Sequence, residues 1–251
     1  MNTTPSVLVT GGAKRIGAAI ARAFGQAGWH VVIHYGTSRR DAEYLAANLP
    51  DAEALGCDLA DPPAAAAMVE ELAGRLGDWR VLINSAGVFP LDTAQALDPQ
   101  VFDSALAVNA ETPTRMAQAF LAHARSTAGR RVIQVTDQKL ANPNPDFFSY
   151  TMSKHALAAT VPMLAMAQDR PEDRIYALAP GAILASHDQT EDEIETSHRL
   201  NLLHRKTGPD EIAQACLFLA QGWLASGETL FVDSGQHLLS QPRDVLYLAR
   251  E

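Results

Sequence analysis

The chain has 251 residues, of which 47% are hydrophobic, 20% charged and 6% aromatic, a composition that excludes disordered, collagen-like and membrane-embedded classes. Its 20 Lys and Arg against 29 Asp and Glu leave a net charge of −9 with no basic block. That argues against nucleic acid or an anionic membrane as the main partner and leaves a small molecule as the expected one.

Short β-branched runs alternate with longer alanine-rich stretches of helical period. Strands are expected at 6–10, 30–35, 52–57, 80–84, 131–136, 174–178 and 229–233, and helices at about 15–27, 39–48, 63–75, 99–124, 149–169 and 209–221. Runs such as VLVT and VVIHY are apolar on both faces, as in a parallel sheet covered on both sides. Asp98-Pro99 and Gly208-Pro209-Asp210-Glu211 read as helix starts. The expected fold is a single-domain α/β architecture over 1–251, a doubly wound Rossmann-type parallel sheet of about seven strands. Ligands would sit at the carboxyl ends of its strands.

The first strand runs into Thr10-Gly11-Gly12-Ala13-Lys14-Arg15-Ile16-Gly17. Its glycines fall where a chain must turn tightly and let a pyrophosphate approach a helix N-terminus, although such a turn alone is as often structural. After the second strand come His34-Tyr35-Gly36-Thr37-Ser38-Arg39-Arg40, with no acid before Asp41. An NAD site usually offers Asp or Glu to the ribose there. Arg15, Ser38 and Arg39 are instead the inventory that would hold a 2′-phosphate, unless they form a solvated basic patch.

Tyr150 and Lys154 stand four residues apart on one expected helix face. A phenol with a pKa of about 10 exchanges protons poorly at neutral pH unless a cation stabilises its phenolate. Region 181–208 mixes acids with histidines and reads either as a substrate-covering loop with a short helix or as a plain connection. The tail, 238–251, carries Leu238, Leu239, Val245, Leu246 and Leu248, unusual for a free end. It is expected on a subunit interface or over a neighbouring active site. Cys57 and Cys216 lie far apart and outside any zinc spacing, so both are read as core residues and no metal is expected. The opening residues lack the features of a signal peptide, which makes the cytoplasm the expected compartment.

Taken together, these motifs resemble the short-chain dehydrogenase/reductase family across nearly the whole chain. Thr10-Gly11 with Gly17 is similar to its cofactor turn, Asp58-Leu59 to its adenine-contacting pair, and Asn84-Ser85-Ala86-Gly87 to its N-x-A-G segment. Tyr150 with Lys154 resembles the catalytic pair, Asn109 the asparagine that anchors a water relay, and Pro180-Gly181 the turn after the sixth strand. Arg15 stands where most members have glycine. Asp137, thirteen residues before Tyr150, stands where most have the catalytic serine. Both departures resemble pteridine reductases and dihydromonapterin reductases, as do His34-Tyr35 followed by Ser38, Asn109-Ala110 with Pro113, and Phe89. In that subgroup the equivalent phenylalanine sandwiches the pterin; otherwise Phe89 is a core side chain. Gly36 and Thr37 depart from the basic residues of some pteridine reductases, and Pro180-Gly181 lacks the usual following threonine.

A serine hydroxyl donates to a ketone oxygen, whereas an ionised carboxylate only accepts. Asp137 therefore suits a ring rich in N–H donors, or sharing a proton with Tyr150, unless it merely caps the strand end or pairs with Lys139. The expected activity is NADPH-dependent hydride transfer to a C=N bond of a dihydropterin-like substrate. Tyr150, Lys154, Asp137 and Asn109 would be catalytic, and Phe89, Asp137 and Tyr150 would touch substrate. Gly11, Arg15, Ile16, Gly17, His34, Tyr35, Ser38, Arg39, Asp58, Leu59, Asn84, Ala86, Gly87, Lys154, Pro180 and Gly181 would hold the cofactor. The alternatives are a reductase of ketones or 3-oxoacyl groups and a non-catalytic NADPH sensor. The resemblance further implies a homotetramer built partly through helices 99–124 and 149–169.

Overall fold

The computed structural model describes residues 4–186 and 188–251; His187, within the expected loop, and residues 1–3, within the expected N-terminus, lie outside the described residues. Among the described residues there are seven strands: β1 (Ser6–Val9), β2 (His30–Tyr35), β3 (Ala52–Gly56), β4 (Trp79–Asn84), β5 (Arg131–Val135), β6 (Arg174–Pro180) and β7 (Thr229–Val232). They form one parallel sheet in the order β3-β2-β1-β4-β5-β6-β7. The order reverses direction between β1 and β4, and the crevice outside those carboxyl ends is where such sheets bind ligands.

Period-two alternation divides the apolar residues between two layers. Val7, Val9, Val31 and Ile33 face one layer with α1 (Arg15–Gln26), α2 (Arg39–Ala47) and α8 (Pro209–Ala220), packing with Ile20, Phe24, Leu45 and Ile212. Leu8, Val32, Leu82 and Val132 face the other, against Leu72, Phe120 and Val161. These three belong to α3 (Pro62–Arg75), α5 (Thr112–His123) and α6 (Phe148–Met166). The strands read as apolar throughout because both faces are covered.

The single helix expected over 99–124 is broken. α4 (Pro99–Leu106) leads into a wide π-type turn over Ala107–Glu111 before α5 begins. Pro113 has no N–H to donate to the carbonyl four residues back, at Asn109. The amide of Thr112 reaches five residues back to Ala107 instead, a register that inserts one residue into the helix.

The region after β6 carries α7 (Glu191–Ser197), started by a reciprocal cap in which Thr190 Oγ1 accepts from the Glu193 amide and Glu193 accepts from the Thr190 amide. The tail forms a 3₁₀ turn at Gln236–Leu238 and the short α9 (Val245–Leu248). Within the chain, the tail lies on its own fold: Val245 and Leu246 are buried, and Arg250 bridges Asp188 and Glu193 beside α7. Leu238, by contrast, is exposed. Among the described residues, no helix is long and apolar enough to cross a membrane.

Candidate active site

The glycine turn is shaped by backbone proximity. Gly11 has φ +63° and lies so close to β4 that a Cβ would stand 3.1 Å from Ala86 Cα; a Cβ on Gly17 would stand 2.3 Å from the Gly11 carbonyl oxygen. Thr10 Oγ1 accepts hydrogen bonds from the Ser85 and Ala86 amides at 2.9 and 3.0 Å, tying the ends of β1 and β4 together. His34 supports the turn from behind. Its Nδ1 accepts from the Gly11 amide at 3.2 Å, which puts the ring proton on Nε2, 3.0 Å from the Cys57 carbonyl oxygen. Burial lowers its pKa and keeps the imidazole neutral. With both nitrogens engaged, His34 is a brace within the turn.

Arg15 has a left-handed backbone (φ 52°), a conformation glycine adopts without strain. Its guanidinium reaches across the crevice and donates to the Ala185 carbonyl at 2.9 Å. Beyond β2, Tyr35 is half-buried and Ser38 starts α2 without using its side chain as a cap. Arg39 pairs with Glu43 at 2.7 Å in solvent, so its charge is already partly compensated. Asp58 is exposed and accepts from the Ala60 amide, while the Leu59 carbonyl accepts from Thr112 Oγ1. Asn84 is buried, donating to the Pro113 carbonyl and to Gln134 Oε1, and so braces β4 against β5 and α5.

At the centre of the crevice the start of α6 is set by a distant carboxylate: Asp92 accepts from both the amide and the hydroxyl of Ser149. One residue later, Tyr150 donates its phenolic proton to Asp137 Oδ2 at 2.6 Å. Asp137 Oδ1 accepts from the Lys139 amide at 2.8 Å. The carboxylate thus caps the 3₁₀ turn after β5 and binds Tyr150 at once, while the Lys139 ammonium goes elsewhere, to the Asp146 carbonyl and Asp244. Lys154 Nζ donates to the Val135 carbonyl at 2.6 Å and lies 5.8 Å from the centre of the Tyr150 ring.

Burial, above all, raises Asp137; the bond from Tyr150 and the Lys139 amide oppose it. Tyr150 is raised well above its ordinary value by burial and by the neighbouring Asp137 carboxylate. Lys154 is lowered to about 8 by burial. Burial thus makes each of the two groups harder to ionise than it is in water, and the bond between them lets them share the phenolic proton. Asn109, in the wide turn, accepts from the Val88 amide and donates to the Val88 carbonyl and Ser153 Oγ. Gly87 makes room for it, since a Cβ there would meet Asn109 Oδ1 at 3.0 Å.

A cleft of about 280 Å³ is lined by Arg15 and Ile16 from the glycine turn, by Phe89, Asp137, Tyr150 and Lys154, and by Asp244, Val245 and Leu246 from the tail. Phe89 is half-buried, stacked on Phe147 at 4.2 Å and edge-on to Tyr150 at 4.5 Å. Gly87, Pro180 and Gly181 also line the cleft, whereas Gly11, Gly17, His34, Asn84, Ala86 and Asn109 do not. Tyr35, Ser38, Arg39, Asp58 and Leu59 gather around the β2 and β3 ends, beyond the cleft itself.

Several lining residues went unread in the sequence. Gln236 accepts from the Ala182 amide and steadies the turn after β6. Asp244 arrives from the tail, and His198 from the end of α7. None sits in a recognisable local spacing. Among the described residues, no cluster of three His, Cys, Asp or Glu could hold a metal.

Residues 11–237 match a family model described as enoyl-(acyl carrier protein) reductase. The chain is 30% identical to the granaticin polyketide synthase putative ketoacyl reductase 2 of Streptomyces violaceoruber, over 94% of this chain and 97% of that protein. The crystal structure of the FolM alternative dihydrofolate reductase 1 from Brucella canis, complexed with NADP, superposes with a TM-score of 0.88 at 32% identity, covering 96% and 97% of the two chains. The angucycline C-6 ketoreductase LanV with bound NADP gives 0.83 at 28%, covering 95% and 98%. With its seven-stranded parallel sheet, its glycine turn and Tyr150 one helical turn before Lys154, the chain belongs to the short-chain dehydrogenase/reductase family.

Proposed function

We propose that this protein is an NADPH-dependent reductase of a C=N bond in a dihydropterin-like ring. The observation that carries the reading is the 2.6 Å bond from Tyr150 to Asp137, a half-buried carboxylate beside the proton donor where a ketone would need a hydroxyl. The similarity to the Brucella FolM protein, described as an alternative dihydrofolate reductase, supports the same substrate class.

NADPH, when bound, supplies the hydride. The Gly11–Gly17 turn, packed against Ala86 and on itself, would offer its amides to the pyrophosphate, and Arg15, Ser38 and Arg39 would hold the 2′-phosphate, Arg15 by giving up the Ala185 carbonyl. Lys154 would hold the ribose and offers its positive charge to Tyr150. Tyr150 would give its proton to the ring nitrogen beside the carbon being reduced, and a proton taken up from solvent and shared through Asp137 would restore the phenol. Asp137 also accepts from the ring's N–H groups, and Phe89 stacks on the ring face. Asn109 keeps Val88 and Ser153 in register beneath Tyr150. The assembly we infer is a homotetramer, consistent with the solvent-exposed Met163 and Met166 on α6.

A second reading, reduction of a ketone, is favoured by the ketoreductases among the relatives. The deciding experiment is NADPH oxidation by the purified protein with dihydrobiopterin, dihydromonapterin, dihydrofolate and a diketone. Turnover of a dihydropterin at least tenfold above the diketone is expected. Efficient ketone reduction without pterin turnover overturns the reading.

A further inference from the structure

The C-terminal tail is fastened beside the proton-donating pair by a set of bonds that converge on one residue. Asp146, buried immediately before Phe147, accepts from Arg243 Nε and from the Asp244 amide, both at 2.8 Å, and its carbonyl accepts from Lys139 Nζ at 2.7 Å. Tyr247 lies parallel to Phe147 and beneath the Arg243 guanidinium. The tail thereby delivers a second carboxylate, Asp244, to the same cleft that Asp137 lines.

Asp244 Oδ1 accepts from the Leu246 amide at 3.1 Å and Oδ2 from Lys139 Nζ at 3.2 Å. A carboxylate has about four acceptor positions, so two remain for a molecule in the cleft. Its charge reaches Asp137 and Tyr150 and adds to the rise of both.

We propose that Asp244 is a specificity-determining residue that accepts a hydrogen bond from an amino or ring N–H group of the substrate. The proposal rests on the dihydropterin reading and extends it. Asp137 holds donors beside the reacting bond, Asp244 holds a donor farther along the ring, and a ketone has no group for the second carboxylate. The side chain also caps α9 and pairs with Lys139, so a purely structural role has to be separated from recognition.

Asp244→Asn makes that separation, because asparagine caps a helix as well as aspartate while removing the charge. Asp244→Asn/Lys139→Met additionally removes the ammonium that the first change strands. A diaminopteridine probe is titrated calorimetrically into the NADPH-saturated protein, and KM and kcat are measured with a dihydropterin. A charged acceptor lost from a hydrogen bond weakens binding about ten- to a hundred-fold. That loss is expected in probe affinity and in KM for both variants, with kcat within about threefold and NADPH affinity unchanged. Wild-type affinity in Asp244→Asn, or its return in the double variant, overturns the role of Asp244 while leaving the pterin reading intact. A wild-type protein that neither binds the probe nor reduces a dihydropterin overturns the pterin reading and this one with it.

Discussion

Replacing Asp137 by serine restores the hydroxyl common in the wider family and tests the site at its centre. The carboxylate makes two bonds, to the Tyr150 hydroxyl at 2.6 Å and to the Lys139 amide at 2.8 Å. Serine keeps an oxygen that can cap the 3₁₀ turn, so the fold survives. It loses the charge-assisted bond, worth about 1.5–3 kcal/mol, and with it the proton-sharing partner, whose removal lowers rates by ~10²–10⁴. Dihydropterin turnover should fall at least ~100-fold, while diketone turnover rises because a donor now faces the carbonyl oxygen. Asp137 and its bond both raise Tyr150, so the alkaline limb of the pH–rate profile should move to lower pH in the variant.

Stability should change in a linked way. The folded-state pKa of Asp137 is raised above the ordinary 3.8. The native state therefore holds this proton more tightly than the unfolded chain does, and loses stability as pH rises from 3.8 through the raised value. The serine variant lacks that loss, so its stability relative to wild type should increase across the same window and level off above it. NADPH-oxidation kinetics against pH, with denaturant titrations at acid and neutral pH, check both claims. Unchanged dihydropterin turnover together with an unmoved alkaline limb would refute the reasoning.

Three further outcomes follow from the same geometry. Arg15→Gly removes a side chain from a left-handed backbone position (φ 52°), so folding should be unimpaired while NADPH affinity falls about ten- to a hundred-fold and NADH affinity barely moves; equal losses in a fluorescence titration would count against a 2′-phosphate contact. Lys154→Met should abolish turnover yet stabilise the fold at pH 7 by up to roughly 3 kcal/mol, reduced by about 1 kcal/mol for the Val135 carbonyl left without its donor. Because the native pKa lies near 8 against 10.5 for a free lysine, wild-type stability rises with pH between those values, and the variant's advantage should disappear above them; denaturation at neutral and alkaline pH that shows a constant difference would contradict this. Asp173→Ala strands the buried Arg130, which bonds to Asp173 through both its backbone amide and its guanidinium, and should destabilise the protein by roughly 3–5 kcal/mol in a denaturant titration; a loss under 1 kcal/mol would mean that water reaches Arg130.

The sheet was legible because its strands advertise themselves: runs apolar on both faces end within two residues of the observed boundaries. Tyr150, Lys154 and Asp137 were legible because two lie one helical turn apart and the third departs from a familiar pattern. His34 and Asn84, read as cofactor contacts, also brace the glycine turn and β4. His34 bonds the Gly11 amide and the Cys57 carbonyl, and Asn84 Nδ2 bonds the Pro113 carbonyl and Gln134 Oε1, pairings that no local spacing encodes. Asp92 and Asp244 escaped notice for the same reason. Each acts across 57 or more positions of sequence, and an isolated aspartate in a loop carries no mark of the helix or cleft it will meet.

The wide turn at Ala107–Glu111 constrains how this segment can change over time. A helix advances about 100° per residue, so the extra residue lets α4 present one face to α6 while α5 turns a different face to α3. Deleting any one residue between 107 and 111 would restore an unbroken helix and swing one of those faces, with Asn109 on it, away from its neighbour. Outside Asp92 and Thr93, which hold the start of α6 and Asp146, the surface loop over 90–97 can change length without rotating a helix. Length variation among descendants of this chain should therefore collect in that loop and be absent from the turn, whatever residues come to occupy it.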